Sequence, residues 1–140
     1  MNKRKVLIPI DGSVRSLESI KYLKEYYDPN KVEPILLHVG EIVFVPRSSM
    51  QLATQQTELS GKRLLDKASK LIEEYDYKTE FVFGYISDEI LKYAEENNVD
   101  IILMTKNTKK KFSFILGSVT ADVAKKVKCT LVIVPEKIFE

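Results

Sequence analysis

The chain has 140 residues, 44% of them hydrophobic, with 22 Lys and Arg against 20 Asp and Glu for a formal net charge of +2. That length suits one domain burying about two thirds of its unfolded surface and is short for two, so residues 1–140 are read as a single domain. The near balance of charge gives no overall drive toward nucleic acid. No apolar run approaches the roughly 20 residues of a membrane-spanning helix, and the run after the basic start MNKRK is too short for a signal peptide core, so a cytoplasmic location is expected. The one cysteine, Cys129, excludes an internal disulfide and is read as a small buried apolar residue.

The first apolar run, KVLIPI (5–10), is β-branched and bounded by Asp11-Gly12, the pattern of a strand buried on both faces, with Pro9 near its end as the one awkward residue. Ser13 follows as candidate N-cap of a helix whose Leu17, Ile20, Leu23 and Tyr27 recur at helical spacing, with Asp28-Pro29-Asn30 as the stop. VEPILLHV (32–39) reads as a second buried strand. It carries the sole histidine, His38, which lacks a cysteine or second histidine as metal companion and is read as a core or edge histidine. An irregular stretch from Gly40 to about Met50 leads into a long helix with Leu65, Ala68, Leu71/Ile72 and Tyr75 on one face.

KTEFVF (78–83) is the third strand, closed by Gly84. Ser87 is the expected cap of a helix that opens with Asp88 and Glu89, at the positive end of the dipole, and turns Ile90, Leu91 and Ala94 inward. VDIILMT (99–105) is the fourth strand. Val119, Val123 and Val127 mark a last helix, with Lys125, Lys126 and Lys128 near its C-terminus, and CTLVIVP (129–135) is the fifth strand. Strands that are apolar runs, alternating with helices, predict an α/β domain whose parallel sheet is covered on both faces. A ligand is then expected outside the carboxyl ends of the strands, where the winding reverses.

Several of these segments together, in order and covering nearly the whole chain, resemble the universal stress protein family: KVLIPIDGSVRSLESIKYL, ILLHV, GYISDEILKYAEENNVDIILM and GSVTADVAKKVKCTLVIVP. The resemblance implies a doubly wound five-stranded sheet of order 3-2-1-4-5, of the adenine nucleotide alpha hydrolase-like type. It places Asp11 and the loop after the fourth strand on opposite sides of one crevice. Many family members bind ATP there through Gly-x2-Gly-x9-Gly-(Ser/Thr). Carried over, the nucleotide contacts fall on Pro9, Ile10 and Asp11, on Val39 through its backbone, on Met104, Thr105 and Asn107, and on Gly117, Ser118 and Val119.

Here the pattern departs. Counting back from Gly117, the two earlier glycine positions fall on Met104 and Asn107, or, with a loop one residue shorter, on Thr105 and on Asn107 or Thr108. Glycine serves a phosphate loop by adopting positive φ and by admitting an anion close to the amides. Asn107 retains only part of the first property. Losing two or three amide contacts at roughly 1 to 1.5 kcal/mol each weakens such a site about a hundredfold. Lys106, Lys109, Lys110 and Lys111 offer point charges in return, or form a solvated loop tip. Asp11 is equally a ribose ligand or a turn aspartate, and Ser118 a phosphate ligand or a plain N-cap. Phe112 and Phe114 fit packing of the loop onto the sheet better than base stacking, so no nucleic-acid partner is expected.

The last strand, Thr130, Leu131, Val132, Ile133 and Val134, is an apolar sheet edge guarded only by Pro135 and Lys137. Pairing with a second copy about a two-fold axis removes that liability, and this is how many members of the family dimerise. A covering by the C-terminal EKIFE is the other way to protect it. The sequence thus points to a dimeric, non-enzymatic stress-response protein that requires no cofactor or metal and whose hold on ATP is weakened or lost, with protein partners that cannot be named. A regulator that holds an adenine nucleotide through the lysine loop is the alternative, and ATP hydrolysis stands third because no base or metal-holding carboxylate pair is visible beyond Asp11.

Overall fold

The computed structural model describes residues 2–41, 44–106 and 116–135. Asn107, Thr108, Lys109, Lys110, Lys111, Phe112, Phe114 and the tail EKIFE lie outside the described residues. The apolar runs become strands β1 (Arg4–Pro9), β2 (Val32–Gly40), β3 (Lys78–Phe83), β4 (Ile101–Thr105) and β5 (Thr130–Val134). Between them stand helices α1 (Ser16–Tyr26), α2 (Met50–Ser69), α3 (Ile86–Glu96) and α4 (Ser118–Lys126), with 3₁₀ turns at Arg47–Ser49 and Lys70–Ile72 on either side of α2. The strands form one sheet of order β3-β2-β1-β4-β5, and every neighbouring pair is parallel. This is the predicted doubly wound architecture.

The two faces of β1 explain the double winding. Because strand side chains alternate, Val6, Ile8 and Ile10 point into one core with Ile20, Leu23, Leu65, Ala68 and Ile72 of the α1 and α2 side. Leu7 points into the other with Ile90, Ala94 and Val123 of α3 and α4. Each fully buried Leu or Ile contributes about 1.5–3 kcal/mol relative to exposure, so this central strand organises both layers.

Local expectations needed correction in several places. Ser13 stands three residues ahead of α1, where its hydroxyl accepts the Ser16 N–H at 3.1 Å and its carbonyl accepts the Ser16 hydroxyl at 2.9 Å. Ser87 lies inside α3, whose cap is Tyr85, and its hydroxyl points to Asp122 of α4 at 3.4 Å. Gly117, not Ser118, caps α4. Leu71 is 44% exposed while Ile72 is fully buried, because the 3₁₀ turn rotates the apolar face at the end of α2. Cover on both faces holds for β1, β2 and most of β4. The edge strands are only partly covered: Lys78, Thr79, Glu80, Thr130 and Ile133 are all exposed. Cys129 is half-buried rather than buried. No helix among the described residues is long and apolar enough to cross a membrane.

Candidate functional site

The crevice sits where the winding reverses, between the carboxyl ends of β1 and β4, and the register explains why it opens. β1 pairs with β4 only through Val6–Ile101 and Leu7–Ile102. The next rung of a parallel ladder would require Pro9 N–H to donate to the Leu103 carbonyl, and proline has no N–H. Pro9, awkward in a central strand, is thus the residue that ends the pairing and lets the strands part.

On its other side β1 pairs with β2 up to Pro9–Leu37, and the last bond runs from Ile10 N–H to the Leu37 carbonyl at 2.8 Å. The following rung, Val39 N–H to the Ile10 carbonyl, lies beyond this register. That carbonyl instead meets His38 Nδ1 at 2.6 Å. A carbonyl only accepts, so Nδ1 carries the proton. Free of both neighbours, the chain turns at Asp11, whose Oδ1 accepts the Ser13 N–H at 2.9 Å, and passes through Gly12 at φ +88°, a conformation glycine adopts without strain. Asp11 is exposed and is at least a turn aspartate.

Across the crevice, Met104 and Thr105 end β4 and are buried. The Lys106 N–H donates to the Val134 carbonyl, and the Lys106 carbonyl accepts the Gly117 N–H, both at 2.9 Å. The buried Thr120 hydroxyl donates to the Thr105 carbonyl at 2.9 Å. These bonds fasten α4 to the end of β4 and close the neck of the intervening loop. The first amide to bond inside α4 is that of Ala121, to the Gly117 carbonyl at 2.8 Å. The amides of Ser118 and Val119 therefore have no intrahelical acceptor and lie at the positive end of the helix dipole. Pro9, Ile10, Asp11, Met104, Thr105, Gly117, Ser118 and Val119 all come to the carboxyl end of the sheet at the reversal point. Val39 reaches the same rim one strand away, and Asn107 lies outside the described residues.

Two residues that hold this arrangement escaped the reading of the sequence as contributors to it. His38 was legible only as an isolated histidine, and Thr120 as one polar residue in a helix. Neither carries a local signal, since the partners Ile10 and Thr105 are 28 and 15 residues away.

Elsewhere, a cleft of 210 Å³ opens at the opposite end of the sheet, among Leu91, Ala94, Val99, Val127 and Cys129. Burial pushes the Cys129 thiol up from its ordinary range, which favours the protonated form over the thiolate. The cleft lies away from the winding reversal and from every backbone group suited to a nucleotide, so the crevice is the stronger candidate. Among the described residues no group of three or more His, Cys, Asp and Glu is placed to hold a metal. Thr130, Leu131, Val132, Ile133 and Val134 form the edge strand beyond β4, with Ile133 36% exposed and Val134 buried.

Comparison with known proteins gives a consistent result. The family model described as universal stress protein family matches residues 2–135. Universal stress protein MJ0531 of Methanocaldococcus jannaschii is 30% identical over 138 residues, covering 94% of this chain and 81% of its own. The solved structure of MJ0577 superposes with a TM-score of 0.74 at 30% identity, over 99% of this chain and 100% of the other. A universal stress protein family structure from Arabidopsis thaliana with AMP bound shares the fold at 15% identity, with a TM-score of 0.69 over 96% of this chain and 92% of that one. Sequence and fold agree along almost the full length, and the chain belongs to the universal stress protein family.

Proposed function

We propose that this chain is a stress-response protein acting as a dimeric, non-enzymatic module whose hold on ATP is weakened or lost. The observation that carries the reading is the phosphate side of the crevice. Residues 104–116 contain no glycine, and the amide of Gly117, the one glycine of the pattern that remains, is already engaged by the Lys106 carbonyl. An amide spent on the protein's own carbonyl does not wrap a triphosphate, which leaves those of Ser118 and Val119, and side chains at the other positions hold an anion away from the backbone. The adenosine side, Asp11 and Val39, keeps groups suited to a ribose and a base.

Dimerisation is supported by the contrast between the two sheet edges. β3 presents the exposed charges Lys78 and Glu80, which discourage strand pairing, whereas β5 presents Thr130 and the exposed Ile133 with Leu131 and Val132 half-buried. Pairing of β5 with the same strand of a second copy satisfies the edge.

A second reading is favoured by the bound AMP of the Arabidopsis relative: an adenine-nucleotide-binding stress regulator in which Lys106, Lys109, Lys110 and Lys111 with Gly117 and Ser118 neutralise phosphate. Calorimetric titration of nucleotide-free protein with MgATP separates the two. A dissociation constant weaker than about 10 μM, or about 7 kcal/mol, is expected, and tighter binding overturns the first reading. Joint replacement of Lys109, Lys110 and Lys111 by alanine leaves residual binding nearly unchanged under the first reading and abolishes it under the second. Light scattering is expected to give a dimer mass that Val132→Lys reduces to a monomer; a monomer in the parent protein removes the dimer from the proposal.

A further inference from the structure

We infer that His38 is a positioning residue of the crevice, holding the Ile10 carbonyl so that the backbone of Val39 stays open to a ligand. The inference deepens the proposed site and rests on that reading only for its ligand. The carbonyl of Lys31, just ahead of β2, accepts the Arg4 N–H of β1, and that of Leu37 in β2 accepts the Ile10 N–H just past β1. Strand alternation therefore aims the N–H and C=O of Val39 toward β1 as well. Regular continuation of the sheet would consume that N–H on the Ile10 carbonyl. That bond is absent, and the carbonyl is instead engaged by His38 Nδ1 at 2.6 Å, a contact that draws it toward the ring and away from the Val39 N–H.

The ring is held from both sides. Phe81 stands 5.8 Å away between centroids, tilted by 34°. Gly61 of α2 lies so close that a Cβ there would come within 2.8 Å of His38 Cδ2. A ring with this little freedom fixes the end of β1 and, one residue on, the turn that carries Asp11. What it leaves on the rim of β2 is an adjacent donor and acceptor facing the crevice. That pair suits the edge of a planar heterocycle bearing one acceptor beside one donor, such as an adenine, and it discriminates against a ring bearing two like groups.

The test uses the full chain, labelled with ¹⁵N and ¹³C. In mildly alkaline buffer, wild-type His38 is expected as the Nδ1–H tautomer, the reverse of the preference of free histidine, and no coupling across a hydrogen bond is expected between Val39 N and the Ile10 carbonyl carbon. An unprotonated Nδ1, or a Val39–Ile10 coupling already present, overturns the inference without any variant. In His38→Leu the freed carbonyl should turn to Val39, so the coupling appears. AMP affinity, followed by shift titration, should then fall about tenfold, as expected for one lost hydrogen bond to a buried partner. In His38→Asn, whose Nδ2 sits near the position of Nδ1, the coupling should stay absent and affinity remain within about threefold. Unchanged AMP affinity in His38→Leu overturns the inference. If wild-type protein binds no AMP, the nucleotide reading fails while the tautomer and the coupling still decide the role of His38.

Discussion

Replacing Gly61 by alanine sets local preference against packing, and the structure decides the sign. Gly61 lies in the middle of α2, where alanine is favoured over glycine by about 1 kcal/mol. Yet a Cβ at this position would stand 2.3 and 2.6 Å from two ring carbons of Phe81 and 2.8 Å from His38, separations that require the neighbours to move. Phe81 has little room to do so. It is wedged between His38 and Phe83, the latter ring meeting it edge-on at 5.0 Å. Overpacking of this kind costs about 1–3 kcal/mol, and contacts this short belong at the upper end. After the helix gain is subtracted, Gly61→Ala should lose about 2 kcal/mol and several degrees of melting temperature. Urea denaturation measures it. The companion experiment places the same change in a Phe81→Ala background, where the two shortest contacts are gone and only His38 Cδ2 at 2.8 Å remains, so most of the loss should disappear. A Gly61→Ala protein as stable as the parent, or a loss that persists in full without the Phe81 ring, would refute the reasoning.

Thr120→Val removes the hydroxyl that donates to the buried Thr105 carbonyl and should cost about 1–3 kcal/mol in chemical denaturation, while Thr120→Ser keeps the bond and most of the stability. The Tyr75 hydroxyl lies 3.1 Å from the Leu23 carbonyl and 2.7 Å from that of Tyr27, and burial raises its pKa above the ordinary value. The sign follows directly. The neutral phenol is favoured in the folded protein, so this contribution is complete below about pH 10, where the unfolded tyrosine begins to ionise, and is lost as pH rises through the higher folded value. Tyr75→Phe should therefore lose about 1 kcal/mol at neutral pH and flatten the alkaline decline in urea midpoint. An unchanged alkaline slope would contradict this.

Much of the architecture was legible because its signals are local. The apolar runs at 5–10 and 32–39 have the pattern of strands in a covered sheet, Leu17, Ile20 and Leu23 recur with the period of a helix, and Asp11-Gly12-Ser13 is a turn by the chemistry of its own side chains. The absence of glycine from 104–116 is likewise visible in the residues alone, and the family resemblance adds where the crevice should be. Capping was less legible. Ser87 and Ser118 have the right chemistry near the right place, but a displacement of two residues from Tyr85 and of one from Gly117 moves each hydroxyl from the cap to the first turn.

Register between distant segments decided the rest. Pro9 looks like a defect in a central strand until its neighbour β4 is known, and then it is the residue that ends the ladder and opens the crevice. Gly61 looks like a weak point in a helix until Phe81 is found beneath it. His38 is a lone histidine until β1 is laid beside β2 and Ile10 comes within reach of its ring. Exposure of β3 and β5 likewise depends on which strands end the sheet, not on their own apolar residues. Periodicity along a chain reports the face that each residue presents. What that face meets is set by pairing across 15, 28 or more residues, which only the folded sheet contains.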